Sequence, residues 1–237
     1  MPLKTRILLV RHGATVLTAE DRFAGATDVL LSETGERQAE ALQKRLASMP
    51  IAAVYASPMK RTVKTATIIA KPHGLEPVLE PGIKEISHGH WEEMTRAEVE
   101  EKHNDEYISW DSDPFTYAPP GGESGLEVLS RALPPIRKIV EKHAGETVLV
   151  VSHKATIRLL IGSFLGFDLR RYRDNLDQKP CCLNVLDFTV DKPIKARLSL
   201  FNDISHYDKA QEKKPTGAHL SKTWAECNDA KRSKTTQ

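Results

Sequence analysis

Three short apolar runs, each followed by a segment of helical periodicity, restrict this chain to an α/β fold. The runs cover residues 5–10, 51–56 and 147–151, and they contain the β-branched side chains that are typical of buried parallel strands. Strands that alternate with helices predict a three-layer α/β/α architecture around a mostly parallel central sheet. Such sheets bind ligands beyond the carboxyl ends of their strands, so the residues that follow the three runs are the first candidates for a functional site.

Local signals set the ends of the predicted elements. Ser32 opens a helix in which Leu42 and Leu46 recur at helical spacing. Ser57 as N-cap and Pro58 at the first helical position predict a helix that runs to about residue 71. Further helices are predicted over residues 123–142 and 154–165, and the last strands over residues 182–190 and 196–201.

The composition changes twice along the chain. Residues 72–122 are rich in Pro, His, Asp, Glu and aromatic residues and have only short helical stretches such as 96–103. We interpret this segment as a cap inserted over the site of a single domain that covers residues 1–206. Residues 207–237 carry seven Lys or Arg and four Asp or Glu without apolar periodicity, which predicts a polar, flexible tail.

The overall composition argues against several classes of protein. A net charge of +2 gives no basis for a nucleic-acid or membrane-surface partner. No run of about 18 apolar residues is present, so no membrane span is predicted. The three cysteines, Cys181, Cys182 and Cys227, have no metal-ligand spacing and argue against a disulfide framework. Since no secretory segment precedes the first strand, a cytoplasmic protein is expected.

The ends of the three strands supply two histidines and two arginines. Arg11-His12-Gly13 follows the first strand, Arg61 lies in the first turn of the helix after the second, and His153 follows the third at a helix N-terminus. Arginine binds phosphate oxygens through a planar fork of donors, and a neutral imidazole can attack phosphorus to form a covalent intermediate. The N–H groups of the helix N-terminus favour an anion. This combination predicts phosphoryl transfer that needs no metal and no cofactor.

Five sequence blocks, in order, resemble the histidine phosphatase superfamily, the phosphoglycerate-mutase-like proteins. The blocks are LLVRHGAT, RFAGATDVLLSETGERQAEAL, YASPMKRTVKTA, PGGES and VVSHKATIRLLI. The resemblance covers roughly the first 206 residues. It implies an enzyme of that superfamily, with the fold already predicted from the strands and helices.

The resemblance also implies a role for each matching residue. His12 would be the phosphorylated nucleophile. Arg11, Arg61 and His153 would hold the phosphoryl group. Glu85, in the segment IKEISHGHWEE, would protonate the leaving oxygen and later activate water. The remaining positions expected to bind phosphate or substrate are Thr18, where many relatives carry Asn, Ala24, Gly25, His88, and Lys154, where they usually carry Gly.

The absence of two family motifs indicates the reaction. Mutases of the family carry Arg-His-Tyr-Gly directly after the acid and two adjacent arginines further along, whereas Glu85 is followed by Ile-Ser-His-Gly-His and the cap has no Arg-Arg pair. We therefore expect hydrolysis of a small phosphorylated metabolite, and phosphoserine is the specific hypothesis. Two alternatives stay open: a 2,3-bisphosphoglycerate-dependent phosphoglycerate mutase, and a non-catalytic phosphate-binding regulatory protein. A homodimer is a further expectation.

Several residues have a simpler interpretation beside the functional one. His88 and His90 form a His-x-His pair, but no Cys or nearby Asp completes a metal ligand set, so contact with the substrate is the preferred role. Gly13 is expected to allow close backbone approach and a positive φ. Arg22 is expected to be structural or at the rim of the site, and Arg158 to be an ion-pair partner.

Overall fold

The structure is a computed structural model that describes residues 3–19, 22–190 and 193–208, without the side chains of residues 18 and 19. One compact unit spans Met1–Tyr207. Beyond Asp208, the predicted flexible tail lies outside the described residues. Thr18, predicted to contact phosphate, has a side chain that also lies outside them.

Six strands form one sheet with the order β3-β2-β4-β1-β5-β6. They are β1 Lys4–Arg11, β2 Ala53–Ala56, β3 Val78–Leu79, β4 Thr147–Ser152, β5 Leu183–Thr189 and β6 Lys195–Asp203. The first four pair in parallel, whereas β5 and β6 are antiparallel to their neighbours. The predicted mostly parallel sheet is confirmed. Arg11 is paired with Ser152, so His12 and His153 leave the sheet next to each other.

The helices cover both faces of this sheet. Within the described residues they are α1 Val16–Ala19, α2 Glu33–Leu46, α3 Lys60–Ala70, α4 Arg96–Lys102, α5 Asn104–Ser112, α6 Gly125–Lys142, α7 Lys154–Leu165 and α8 Tyr172–Asn175. Short 3₁₀ turns cover Lys71–His73, Pro81–Ile83, Gly89–Trp91 and Leu169–Arg171. None of the described helices is both long enough and apolar enough to cross a bilayer.

The alternation of side chains along β1 divides the core into two layers. Ile7 and Leu9 pack in one buried cluster with residues of α6 and α7. Leu8 and Val10 point to the other face and pack with residues of α2 and α3. Successive side chains of a strand point to opposite faces of a sheet, so a strand that is apolar at every position is buried on both sides. The three-layer α/β/α architecture is confirmed.

The segment predicted as a cap has two parts. Its first residues form the edge strand β3, in which Val78 pairs with Tyr55 of β2, so this part belongs to the sheet. The later part holds α4 and α5 and has its own buried cluster of Trp91, Val99 and Trp110. Phe23, from the loop after β1, packs against this cluster. The cluster therefore joins the cap to the loop that leads away from His12.

Of the N-caps predicted for the first two long helices, the structure confirms the first and not the second. Ser32 is the N-cap of α2, and its hydroxyl oxygen accepts a hydrogen bond from the backbone N–H of Gly35 at 3.2 Å. The prediction that Ser57 caps the next helix is wrong, because α3 begins at Lys60 with Met59 as N-cap and has no side-chain capping bond. The hydroxyl of Ser57 instead contacts His153.

Candidate active site

His12 follows β1 and is held by its backbone and by its ring. Its backbone N–H donates to the carbonyl oxygen of Ser152 at 3.1 Å, and its ring Nδ1 lies 2.7 Å from the carbonyl oxygen of Gly13. A carbonyl only accepts, so Nδ1 carries the proton and Nε2 has a lone pair in the neutral ring. Burial, with the positive charges of Arg11 and Arg61, holds the pKa of His12 well below its usual 6.5. At neutral pH His12 is therefore an uncharged ring whose Nε2 can act as a nucleophile.

Gly13 is required by close packing and not by an unusual φ. A Cβ at Gly13 would collide with the backbone carbonyl of Gly35, and a Cβ at Gly35 would collide with that of Ala14. Gly13 is not among the residues with positive φ, so it does not use the positive φ that glycine permits. The two glycines allow the first turn of α2 to pack against the loop that carries His12.

Arg11 is the last residue of β1 and is held from behind by a buried polar network. Its Nη1 donates to the carbonyl oxygen of Gln178 at 2.6 Å. The side chain of Gln178 is hydrogen-bonded to Asn184, which in turn donates to the carbonyl oxygen of Leu9 at 3.0 Å. The Nε atom of Arg11 is buried without a hydrogen-bond partner among the described residues. The guanidinium is therefore fixed in position and still has donors to offer.

Arg61, in the first turn of α3, is oriented by the loop that contains Gly25. It donates to the carbonyl oxygens of Thr27 at 2.8 Å and of Gly25 at 3.0 Å, and its Nε is buried without a described partner. Among the described residues, no carboxylate forms an ion pair within 4.0 Å of Arg61 or Arg11. Burial lowers the pKa of both guanidiniums, which nevertheless stay protonated at working pH. Two charged groups without close counter-ions are suited to bind an anion.

His153 lies behind His12 and is fully buried. The two ring centroids are 5.2 Å apart, and His153 Nε2 lies 2.8 Å from the hydroxyl of Ser57. Its Nδ1 is buried without a described partner. Burial, with the neighbouring ring of His12 and three arginines, holds the pKa of His153 well below 6.5. When the Ser57 hydroxyl donates to Nε2, Nδ1 carries the proton of the neutral ring and has it available for a ligand.

Glu85 lies at the N-terminus of α7. Its carboxylate accepts a hydrogen bond from the backbone N–H of Ile86 at 3.0 Å and longer ones, at 3.4 Å, from those of Ala155 and Thr156. The helix N-terminus was predicted to favour a bound anion, and at these two N–H groups that anion is Glu85 itself. This contact holds the carboxylate at the helix N-terminus, and Glu85 lines a pocket together with His12, whereas His153 is not among the residues that line it.

Arg131 of α6 fixes the segment that carries Glu85. Its guanidinium donates to the carbonyl oxygens of Gly82, Lys84 and Glu85 at 2.8–2.9 Å. It also forms a two-point ion pair with Glu123 at 2.7 and 2.8 Å. No sequence signal marked Arg131, because its partners are main-chain oxygens that are more than 45 residues away in the sequence.

A pocket of about 230 Å³ opens over His12. It brings together eight residues of the predicted site, namely Arg11, His12, Ala24, Gly25, Arg61, Glu85, His88 and Lys154. Its lining contains seven Arg or Lys side chains and one carboxylate, that of Glu85. Such an excess of positive charge favours small anionic ligands.

The His-x-His pair is divided between two environments. His88 lines the pocket, packs against Phe23 in a tilted arrangement with 4.7 Å between ring centroids, and has a pKa lowered by burial to about 4. His90 points elsewhere, and its Nε2 lies 3.0 Å from Glu106. His90, His103 and Glu106 have ligand atoms within 4.8 Å of one another, a set that could hold a metal ion apart from the pocket lining. His88 and His90 therefore do not point toward a shared metal site.

Four of the pocket-lining residues that were not predicted as site residues bring aromatic rings and positive charge. Trp110 comes from the cap, Arg158 from α7, and Tyr172 and Arg173 from α8. Arg158, predicted to be an ion-pair partner, lies 3.9 Å from Asp177 and also faces this pocket. Arg22 also lines the pocket, and its guanidinium donates hydrogen bonds to the carbonyl oxygen of Glu93 and to the carboxylate of Glu98.

Comparison with known proteins agrees with this geometry. A family model described as "Histidine phosphatase superfamily (branch 1)" matches residues 7–203. Phosphoserine phosphatase 1 of Hydrogenobacter thermophilus is 35% identical over 70% of this chain and 79% of its own length. The probable phosphoglycerate mutase GpmB of Cronobacter sakazakii is 30% identical over 86% of this chain and 95% of its own. The solved structure of Bacillus stearothermophilus YhfR superimposes with a TM-score of 0.79 at 30% identity, over 86% of this chain and all of that one.

Proposed function

Because the chain belongs to the histidine phosphatase superfamily and is a phosphatase of that family, we propose that it hydrolyses phosphoserine through a phosphohistidine at His12. The observation that carries this proposal is the contact of His12 Nδ1 with the carbonyl oxygen of Gly13, at 2.7 Å. This contact supports an unprotonated Nε2 in a pocket that Arg11 and Arg61 also line.

In the proposed first half-reaction, the lone pair of His12 Nε2 forms a bond to phosphorus while the ester P–O bond breaks. The leaving oxygen keeps the electron pair of that bond and takes a proton from the carboxyl group of Glu85, so serine leaves as a neutral alcohol. Arg11, Arg61 and His153 stabilise the charge that develops on the phosphoryl oxygens. Each of these three has a buried nitrogen without a described partner, which supports that role.

In the second half-reaction, water attacks the phosphorus of the phosphohistidine. The carboxylate of Glu85 takes one proton from that water, and the electron pair of the broken P–N bond returns to Nε2 of His12. The products are inorganic phosphate, neutral His12 and protonated Glu85. The hydrogen bonds that Arg131 makes around residue 85 support one fixed position for the carboxylate in both half-reactions.

The charge and size of the pocket support a small substrate with more than one anionic group. Seven cationic side chains line it against one carboxylate, and a single phosphate needs only a few of them. The name of the Hydrogenobacter relative adds support for phosphoserine. A cytoplasmic location and a homodimer stay predictions.

The mutase alternative has one observation in its favour, the similarity to the probable phosphoglycerate mutase. The proposal is tested by incubating the protein with phosphoserine, with 3-phosphoglycerate and with p-nitrophenyl phosphate, while released phosphate and 2-phosphoglycerate are measured. We expect fast release of phosphate from phosphoserine and no isomerisation. Rapid interconversion of 3- and 2-phosphoglycerate with little phosphate release would overturn the proposal.

A further inference from the structure

Four of the seven positive side chains of the pocket form two groups that differ in their proposed use. Arg11 and Arg61 lie beside His12, where the phosphoryl group reacts. Arg158 of α7 and Arg173 of α8 line the same pocket, together with Tyr172 and Trp110. The two half-reactions use the first group and leave the second without a role.

Arg158 is a mostly buried cation whose guanidinium has no hydrogen-bond partner among the described residues. Its side chain is 11% exposed, and its nearest described carboxylate, that of Asp177, is 3.9 Å away. Its guanidinium donates no hydrogen bond to another described residue, and Nε is fully buried. Burial lowers the pKa of Arg158, in keeping with a charge that is poorly compensated. A guanidinium in this state loses hydration without gaining hydrogen bonds, so an anion in the pocket would stabilise it.

Arg173 is oriented by the cap. Its Cζ lies 3.8 Å from the centre of the Trp110 ring, and its Nη2 donates to the side chain and main chain of Asp111 at 3.1 and 3.2 Å. Its Nε is buried without a described partner. These contacts fix the plane of the guanidinium, so little side-chain entropy is lost when it binds a planar anion. Tyr172 is adjacent, and burial raises its pKa to about 12, which keeps its hydroxyl protonated as a donor.

We propose that Arg158 and Arg173 form a subsite that binds a carboxylate of the substrate, several bonds away from the phosphate that reacts at His12. This inference rests on the proposed phosphatase function and deepens it. A carboxylate fits the two planar forks better than a neutral hydroxyl or an ammonium group, which guanidinium cannot bind. The substrate class is therefore a phosphate ester of a small hydroxy or amino acid.

Two pairs of substrates isolate the contribution of the carboxylate. Phosphoethanolamine is phosphoserine without its carboxylate, and glycerol 3-phosphate replaces the carboxylate of 3-phosphoglycerate by a hydroxymethyl group. The measured quantity is the ratio of kcat/KM within each pair. We expect the wild-type protein to prefer the carboxylate in at least one pair by roughly ten- to a hundredfold, the range of a charge-assisted hydrogen bond.

Arg158→Met should reduce this ratio about tenfold or more, because Met keeps the apolar stem and removes the charge. Arg171→Met is the matched control, since Arg171 is exposed on the same segment and does not line the pocket. It should keep the wild-type ratio. If Arg158→Met does not fold, Arg158→Gln and Arg173→Lys supply the same measurement and should also lower the ratio. An unchanged ratio in the folded variants, or a wild-type ratio near one in both pairs, would overturn the subsite.

Failure of the subsite can be distinguished from failure of the proposed function. Hydrolysis of p-nitrophenyl phosphate, which has no carboxylate, reports the phosphatase reaction alone. Activity on this ester together with a ratio near one would reject only the carboxylate subsite. A protein that releases no phosphate from any of the five esters would reject the proposed function itself.

Discussion

The ring Nδ1 of His12 lies 2.7 Å from the carbonyl oxygen of its neighbour Gly13. A Cβ at Gly13 would collide with the backbone carbonyl of Gly35, so the position next to His12 has no room for a side chain. Because a carbonyl oxygen only accepts, this contact assigns the proton of the neutral His12 ring to Nδ1 and the lone pair to Nε2.

The protonation of His12 can be observed directly. In protein labelled with ¹⁵N-histidine, we expect a protonated Nδ1 and an unprotonated Nε2 at pH 7. The ring should stay neutral well below pH 6.5, because burial and the charges of Arg11 and Arg61 lower its pKa. Arg61→Met should raise that pKa, whereas Lys60→Met, at an exposed neighbour, should not. Ring ¹⁵N chemical shifts report both the tautomer and the pKa of His12. A proton on Nε2 in the neutral ring would contradict the assigned tautomer.

Buried neutral histidines should make the folded state sensitive to acid. The pKa of His88 is about 4 in the folded protein, against an ordinary value of 6.5. The unfolded chain therefore binds more protons between these values, and stability falls as the pH is lowered through this range. Each such histidine lowers the free energy of unfolding by at most about 1.4 kcal/mol for each pH unit within this range. In urea unfolding, the free energy of unfolding should fall less between pH 7 and pH 5 for His88→Gln than for wild type. An equal fall in the two proteins would show that His88 is not a source of the acid sensitivity.

Ser57→Ala should slow turnover without abolishing it. The hydroxyl of Ser57 is the described partner of His153 Nε2, at 2.8 Å, so its removal loosens the ring that we propose to stabilise the phosphoryl group. A hydrogen bond of this kind contributes about 1 kcal/mol, which corresponds to a fall in kcat of roughly five- to tenfold. Ser130→Ala, which removes an exposed hydroxyl from α6, is the control. Steady-state kinetics with p-nitrophenyl phosphate measures the effect, and a wild-type kcat would show that Ser57 does not orient His153.

Glu85→Gln should act mainly on poor leaving groups. The alkoxide of serine needs a proton as it leaves, whereas p-nitrophenolate does not, so loss of the acid should cost about 10²- to 10⁴-fold on phosphoserine and much less on p-nitrophenyl phosphate. Glu76→Gln, at an exposed position outside the pocket, should change neither rate. Equal losses on the two esters would remove Glu85 from the role of proton donor.

Local signals in the sequence predicted five of the six strands and the position of the candidate site residues at the strand ends, but not the edge strand β3. The apolar run of β1 predicts a buried strand, and His12 and Arg11 follow it directly, so their position at the strand ends needed only the topology of parallel sheets. His153 was found in the same way. Helix α7 was predicted with the bounds that the structure gives it, Lys154–Leu165.

The features that the sequence did not predict depend on contacts between segments that are distant in the sequence. Ser57 has the local pattern of an N-cap, but His153, which is 96 residues away, binds its hydroxyl. Arg131 holds main-chain oxygens that carry no residue-specific signal. Arg158 and Arg173 enter the pocket wall only because α7 and α8 pack together with the cap. Tertiary packing determined these roles, so periodicity and motif spacing could not predict them.

The most direct test of the account is the covalent intermediate. Protein mixed with ³²P-labelled phosphoserine is quenched in alkali within milliseconds, and the labelled peptide is identified by mass spectrometry. We expect an alkali-stable, acid-labile phosphoryl group on His12, formed at a rate that accounts for turnover, and its absence from the His12→Asn variant together with loss of activity. A phosphoryl group on any other residue, or turnover by His12→Asn at the wild-type rate, would contradict the central claim that His12 is the nucleophile.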